Sequence, residues 1–251
     1  MILRMLFRPP AIDDAPTAKG GARVSRRWRP LRRVLIWLRW FALRCLLLMA
    51  ALVLFYALIN PPTTWTIVKE SRDHQIAPRD WADIEDIAPV MLRSAVAAED
   101  ANFCLHWGFD MTEIRNVIRS GGSGGASTIT QQTAKNVYLW QTRSWPRKAL
   151  ETVFTPMIEA FWSKRRILEV YLNVAEFGPG VFGITAAARE YYGTTPDRLT
   201  RVQAARLAAV LPAPKSRSPH QASRRSRAIA DGAATIARDG RAECFQTGGD
   251  S

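Results

Sequence analysis

From Trp40 to Ile59 the chain reads WFALRCLLLMAALVLFYALI, a run in which Arg44 is the only charge. Twenty helical residues at ~1.5 Å each cover the ~30 Å hydrocarbon core of a bilayer. Arg44 lies one turn inside the basic end, where a long side chain can reach back to the headgroups. Trp37, Trp40 and Tyr56 fall near the two interfaces, which favour amphipathic rings. The charge on either side is lopsided. Residues 1–44 hold eleven of the 35 Lys and Arg and two acids, a net +9 out of +13. The positive-inside rule then leaves residues 1–39 as a basic cytoplasmic tail and puts everything after Pro61 outside. No A-x-A site follows the run, so residues 40–60 read as an uncleaved signal anchor rather than a signal peptide. The alternative, a buried core helix, rests on the shorter uncharged stretch Cys45–Ile59.

The same lopsidedness argues against nucleic acid as a partner. The basic excess belongs to the tail, and no zinc-finger, RNA-binding or basic-zipper pattern accompanies it. Cysteine decides little. Cys45 is in the span, while Cys104 and Cys244 are far apart in sequence, and no CxxC spacing indicates a metal; whether those two pair stays open.

Beyond the anchor the pattern is helical. Pro61-Pro62 stops the membrane helix, and a polar connector runs to about Arg79. Helix-length segments follow at Pro89–Asp100, Met111–Arg119, Thr128–Trp140, Pro146–Trp162, Lys164–Asn173, Gly183–Tyr192 and Arg201–Leu211. Asp110 with Glu113, and Thr200 with Gln203, have the spacing of helix-start caps. Pro156 is expected to kink or divide its helix. An amphipathic Ala/Arg-rich segment, 221–238, closes the domain, and residues 241–251 are expected to fray. Strand signals are thin, with only Thr64–Val68 short and β-branched. Met91, Leu92, Trp107, Phe109 and Trp140 are candidates for an apolar shore on the bilayer, with a core role as the default. The expectation is a mostly α domain over residues 61–240.

Three places have chemistry to offer. Glu99 and Asp100 end an Ala-rich helix beside Phe103, His106, Trp107 and Gly108, where a carboxyl could have a raised pKa suited to a general base. In Arg147-Lys148-Ala-Leu-Glu151, helical spacing puts both cations on the face of Glu151, which is either a surface ion pair or a phosphate-binding face. Gly125-Ala126-Ser127-Thr128 leads glycine into a hydroxyl-rich helix start, where free N–H groups favour an anion.

Taken together these residues resemble a known family. Glu99–Gly108 matches EDxxFxxHxG, Gly125–Gln132 matches GxSTxTQQ, and Arg147–Glu151 matches RKxxE. Lys164–Asn173 matches KxxILExYLN, and Arg206–Leu211 matches RxxxVL. Those are, in order, the motifs of the peptidoglycan glycosyltransferases. The stretches Gln132–Asn136, Arg143–Lys148 and Glu176–Gly180 resemble the monofunctional biosynthetic transglycosylases in particular. The small, Gly-rich stretch Ser120–Gly124 departs from the longer or more basic segment common in relatives.

The resemblance implies a lysozyme-like, two-lobed glycosyltransferase domain behind a single N-terminal transmembrane helix. It implies polymerisation of lipid II into β-1,4-linked glycan, with inversion and release of undecaprenyl pyrophosphate, at the outer face of the bacterial inner membrane. By the same resemblance Glu99 is the base and Glu151 the second catalytic acid. Lys135, Arg147, Lys148 and Lys164 would neutralise pyrophosphate, and Ser127, Thr130, Gln131 and Gln132 would line the donor cleft. His106, Glu169, Tyr171 and Asn173 would be structural. The resemblance admits a divalent cation, Mg or Mn, at the leaving group and leaves open whether it is required, and the sequence has no closed ligand set for one. Partners would be lipid II, the growing strand, the membrane, and cell-wall synthesis or division proteins. Two other readings remain: a lysozyme-like glycan-cleaving enzyme, and an inactive membrane scaffold.

Overall fold

The computed structural model describes residues 29–121, 125–142 and 144–246. Most of the basic tail, residues 122–124 (Gly-Ser-Gly), Arg143 and the last five residues lie outside that range. The chain divides into two compact units, Met1–Leu52 and Val53–Ser251.

Helix α1 (Arg29–Leu58) carries the apolar run and starts well before Trp40. Nothing between residues 31 and 39 breaks a helix, and Arg and Leu are good helix formers. Its Leu, Phe and Trp side chains are exposed along its length, as a lipid-facing helix requires.

The second unit begins with the last turns of α1. Trp162 donates its indole N–H to the Val53 carbonyl at 2.8 Å. Arg166 donates to the carbonyls of Tyr56 (3.1 Å) and Ile59 (3.2 Å) and to Asn60 Oδ1 (2.8 Å). Carbonyls at a helix C-terminus lack intrahelical donors and carry partial negative charge, so a guanidinium there answers both needs.

Helix α2 (Trp65–Glu70) occupies the stretch expected as a strand. Thr64 caps it by accepting from the Ile67 N–H, and Thr66 and Ile67 are buried. Capping and burial outweigh the weak β preference of three branched residues. Then come α3 (Pro89–Glu99), α4 (Met111–Arg119), α5 (Ile129–Tyr138), α6 (Trp145–Phe161) and α7 (Lys164–Val174). Pro156 neither divides nor ends α6, which runs through it. A short antiparallel hairpin, β1 (Glu176–Gly178) with β2 (Val181–Phe182), turns at Pro179-Gly180. The unit closes with α8 (Ile184–Tyr192), α9 (Arg201–Val210) and α10 (Arg224–Arg238).

These helices form two packed groups, α3 with α9 and α10, and α5 with α6 and α7. Phe103, Ile129, Ile158, Leu168, Tyr171 and Phe177 lie in the core. Met91 and Leu92, candidates for the bilayer shore, are core residues too, whereas Trp107 is exposed. Caps read from spacing are present. Asp110 accepts from Thr112 and Glu113 N–H, both at 2.9 Å, and Thr200 and Gln203 satisfy each other's backbone.

Residues 241–246 do not fray. Cys244 is disulfide-bonded to Cys104 across 140 residues, Phe245 is buried against Phe103, and Arg241 donates to the Ala101 carbonyl at 3.1 Å. Serine at both Cys104 and Cys244 is expected to cost about 2–5 kcal/mol, since the bridge closes a very long loop in the unfolded chain. A fall in the melting temperature of the full-length protein in detergent checks this, and a reductant should reproduce it in the wild type.

Candidate active site

Glu99 is the last residue of α3, and its side chain is 9 % exposed. Oε2 accepts from the Gln132 amide on α5 at 2.8 Å, and Oε1 faces the Arg225 guanidinium of α10 at 3.4 Å. Tyr171 of α7 donates to Gln132 Oε1 at 3.4 Å, which fixes which end of that amide meets the acid. Burial raises the Glu99 pKa, against the pull of the Gln132 hydrogen bond and of Arg225, Lys135 and Arg217.

Two cavities flank the Glu99–Gln132 contact. One, of about 270 Å³, is lined by Glu99, Asp100, Asn102, Asp110, Ser127 and Thr128 among others. The other, of about 210 Å³, includes Gln132, Lys135, Asn136, Tyr171 and Glu176. Burial lowers the pKa of the Lys135 ammonium, while Glu151 and Glu99 pull it back up. It therefore lies in the fields of both acids. Among the described residues Lys135 has no hydrogen-bond or ion-pair partner.

Glu151 on α6 is 3 % exposed and fully engaged. Arg147 donates to Oε2 at 2.6 Å and Lys148 to Oε1, with the Arg147 Nε also held by the Thr142 carbonyl. This ion pair is buried at the acid, so the surface reading does not apply.

Three expected lining residues turn their side chains elsewhere. Thr130 is fully buried and donates its hydroxyl to Glu159 at 2.5 Å. Gln131 is the reciprocal partner of Thr128 in the box that caps α5. Lys164 donates to Glu159 and to the His106 carbonyl, both at 2.8 Å, with its ammonium over the Phe103 ring. None of the three lines either cavity. In a helix successive residues point in different directions, so Gln132, Lys135 and Asn136 line the second cavity while Thr130 and Gln131 do not. Glu159, which collects Thr130 and Lys164, has no motif of its own and could not be found from spacing.

The closest grouping of metal-ligating side chains among the described residues is Asp100, His106 and Asp110. Its carboxylates already work as braces. Asp100 accepts from the Ile129 N–H at 3.0 Å and meets His106 Nε2 at 2.8 Å, while Asp110 caps α4 and holds Asn102 at 2.8 Å. Gly108 closes this knot at φ +84°, and a Cβ there would lie 2.6 Å from Thr155. Only glycine fits. Glu169 and Asn173 brace as well. Trp81 donates to Glu169 at 3.2 Å, and the Asn173 amide bonds both the N–H and the carbonyl of Ala82. Arg206 donates to the His220 carbonyl at 3.3 Å. The Gly-rich departure at Ser120–Gly124 lies mostly outside the described residues.

This helical fold, with a buried acid beside clustered cations, suits a group-transfer enzyme with an anionic leaving group. Comparison with known proteins identifies the class. The transglycosylase family model matches residues 66–237, and the chain belongs to that family. It is 54 % identical over 202 residues to a biosynthetic peptidoglycan transglycosylase of Jannaschia sp. (strain CCS1), covering 79 % of this chain and 84 % of that protein. It is also 46 % identical over 231 residues to the protein so named from Pseudomonas entomophila (strain L48), covering 88 % and 93 %. For its counterpart in Caulobacter vibrioides the identity is 42 % over 200 residues, covering 76 % and 87 %.

One consequence concerns stability. The Glu99 carboxyl is held above its unfolded-state pKa by burial. A group shifted upward favours folding below the unfolded value and loses that contribution as pH rises through the folded value. Glu99→Gln stays neutral throughout. It is expected to stabilise the protein at neutral pH by about 0.5–2 kcal/mol, the usual gain from relieving a functional site. Thermal melts of both proteins against pH check this, and the gain should vanish below about pH 4, where both states of the wild type hold the proton.

Proposed function

We propose that the protein is a membrane-anchored peptidoglycan glycosyltransferase that polymerises lipid II with inversion at the donor sugar. The observation that carries this is the buried, upshifted Glu99 carboxylate at the junction of two cavities, with Lys135, Arg147 and Lys148 beyond it. Such an acid suits a base working near neutrality. Glu99 takes the proton of the acceptor 4-hydroxyl as that oxygen attacks C1 of the donor. The bond from C1 to the phosphate oxygen breaks, and its electron pair leaves with undecaprenyl pyrophosphate. Attack opposite an α-linked leaving group gives the β-1,4 bond.

Lys135, with no partner of its own, meets the departing charge directly. Arg147 and Lys148 add to the positive field while Glu151 holds them in place. Fixed cations aimed at developing charge need no reorganisation during the reaction. Ser127 and Gln132 line the space on either side of Glu99. Both Glu151 oxygens are held by cations, and the steps above route nothing through a divalent ion.

The site faces the outside of the cytoplasmic membrane, with residues 1–39 inside and the glycosyltransferase domain over 61–240. The Arg residues at the start of α1 support that orientation. So does the Cys104–Cys244 bridge, since disulfides persist in oxidising compartments. Both substrates are membrane-borne, and the anchor keeps the enzyme where they diffuse.

Polymerisation of labelled lipid II by the full-length protein in detergent tests this. Long, muramidase-sensitive glycan is expected from the wild type, with at least a ~10²-fold lower rate for Glu99→Gln. No polymer from a folded wild type would refute the polymerase assignment.

A further inference from the structure

Among the described residues outside the matched motifs, one charged side chain comes within 4 Å of the proposed base, and it belongs to helix α10. Helix α10 starts at Ser223, whose side chain caps it reciprocally with Ser226. It lies against the end of α3 closely enough that a Cβ on Gly232 would be 3.3 Å from Ala97. That contact puts Arg225, on the first turn, beside the terminus of α3. Its Nη2 donates to the Ala98 carbonyl at 2.9 Å and faces Glu99 Oε1 at 3.4 Å. The Ala98 carbonyl is one of the four at a helix end that have no intrahelical donor. A planar guanidinium serves carbonyl and carboxylate together, which a lysine ammonium does less well.

The far end of α10 is fastened to the same loop. Arg241, Cys244 and Phe245 hold Ala101, Cys104 and Phe103. Glu99 is thus bracketed by the C-terminal segment, with Arg225 on one side and the disulfide-anchored clasp on the other.

We propose that Arg225 is a positioning residue that keeps Glu99 deprotonated and aimed, with Gln132 holding the opposite oxygen. This rests on Glu99 being the base. The groups facing that carboxylate are Gln132 and Lys135 from α5, Tyr171 from α7, Arg225 from α10 and Arg217 from the segment before it. Arg217 and Lys135 act on it through their field, whereas Arg225 alone among these cations approaches to within 4 Å. Its side chain is 40 % exposed, so salt should weaken its influence.

The test is the pH profile of kcat/KM for lipid II polymerisation by the full-length protein, for wild type, Arg225→Gln, Arg225→Lys, Arg217→Gln and Glu99→Gln. Arg225→Gln should move the acidic limb to higher pH. It should lower kcat about fivefold on that limb, with KM little changed and the loss shrinking as pH rises. Arg225→Lys should recover part of the shift, Arg217→Gln should move the limb less, and added salt should move the wild type toward Arg225→Gln. An unmoved limb, or a loss uniform with pH that tracks a fall in melting temperature, would overturn the proposal for Arg225. Full activity in Glu99→Gln would overturn the base assignment beneath it, an outcome visible whatever Arg225→Gln does.

Discussion

The buried carboxylate of Asp100 holds the site together. One oxygen accepts the N–H of Ile129 in the first turn of α5, and the other meets His106. An acid at that place satisfies a donor the helix cannot satisfy itself, and it also suits the positive end of the helix dipole. The result is a fixed distance between the end of α3 and the start of α5. Glu99 belongs to the first, Gln132 and Lys135 to the second. The pairing of Glu and Asp in one motif therefore has two jobs, one acid open to a cavity and its neighbour tied to the scaffold. His106 and Gly108 belong to the scaffold's side, since His106 lends its carbonyl to Lys164 and Gly108 gives its own to Thr128.

Glu99 and Glu151 show how environment divides two identical side chains. Both are buried. Glu151 has a cation on each oxygen, so its charge is compensated and its conformation locked. Glu99 has an amide on one oxygen and a partly exposed guanidinium 3.4 Å from the other, and burial wins. Burial with too little compensating charge favours the protonated form at Glu99. Neighbours thereby give the same side chain two different environments. Lys135 completes the arrangement: drawn toward both acids and paired with neither, it has its charge to offer.

Much of this was legible in the chain. Helix α4 appears at Met111–Arg119 as periodicity and its Asp110 cap predicted, and α9 starts at the box Thr200–Gln203. Local signals suffice where a cap and an apolar stripe agree. The failures share a cause in distant partners. Thr64–Val68 is helical because its burial outweighs β preference, and residues 241–246 are ordered by a cysteine 140 positions away. Within the site, the motifs name residues without separating those that line from those that brace. Thr130 and Lys164 look suited to phosphate until Glu159, 29 and five residues away, claims them. Arg225 sits in an amphipathic, Ala/Arg-rich helix outside every matched motif, and only tertiary packing picks it out.

The junction of anchor and enzyme has the same economy. Val53–Leu58, the end of the apolar helix, belongs to the catalytic unit and not to a flexible linker. Trp162, just after α6, holds the Val53 carbonyl and Arg166, in the first turn of α7, holds the Tyr56 carbonyl; Arg166 also pairs with Glu169 and lies near the Trp81 and Trp162 rings. Tyr56 packs near Tyr138 at the end of α5, which in turn stacks on Phe154 of α6. The helix that ends in Tyr138 is the one that carries Gln132 and Lys135. A chain of ring contacts thus links Val53–Leu58 to α5 and α6 within the second unit, so the last turns of the apolar helix are part of the packed domain.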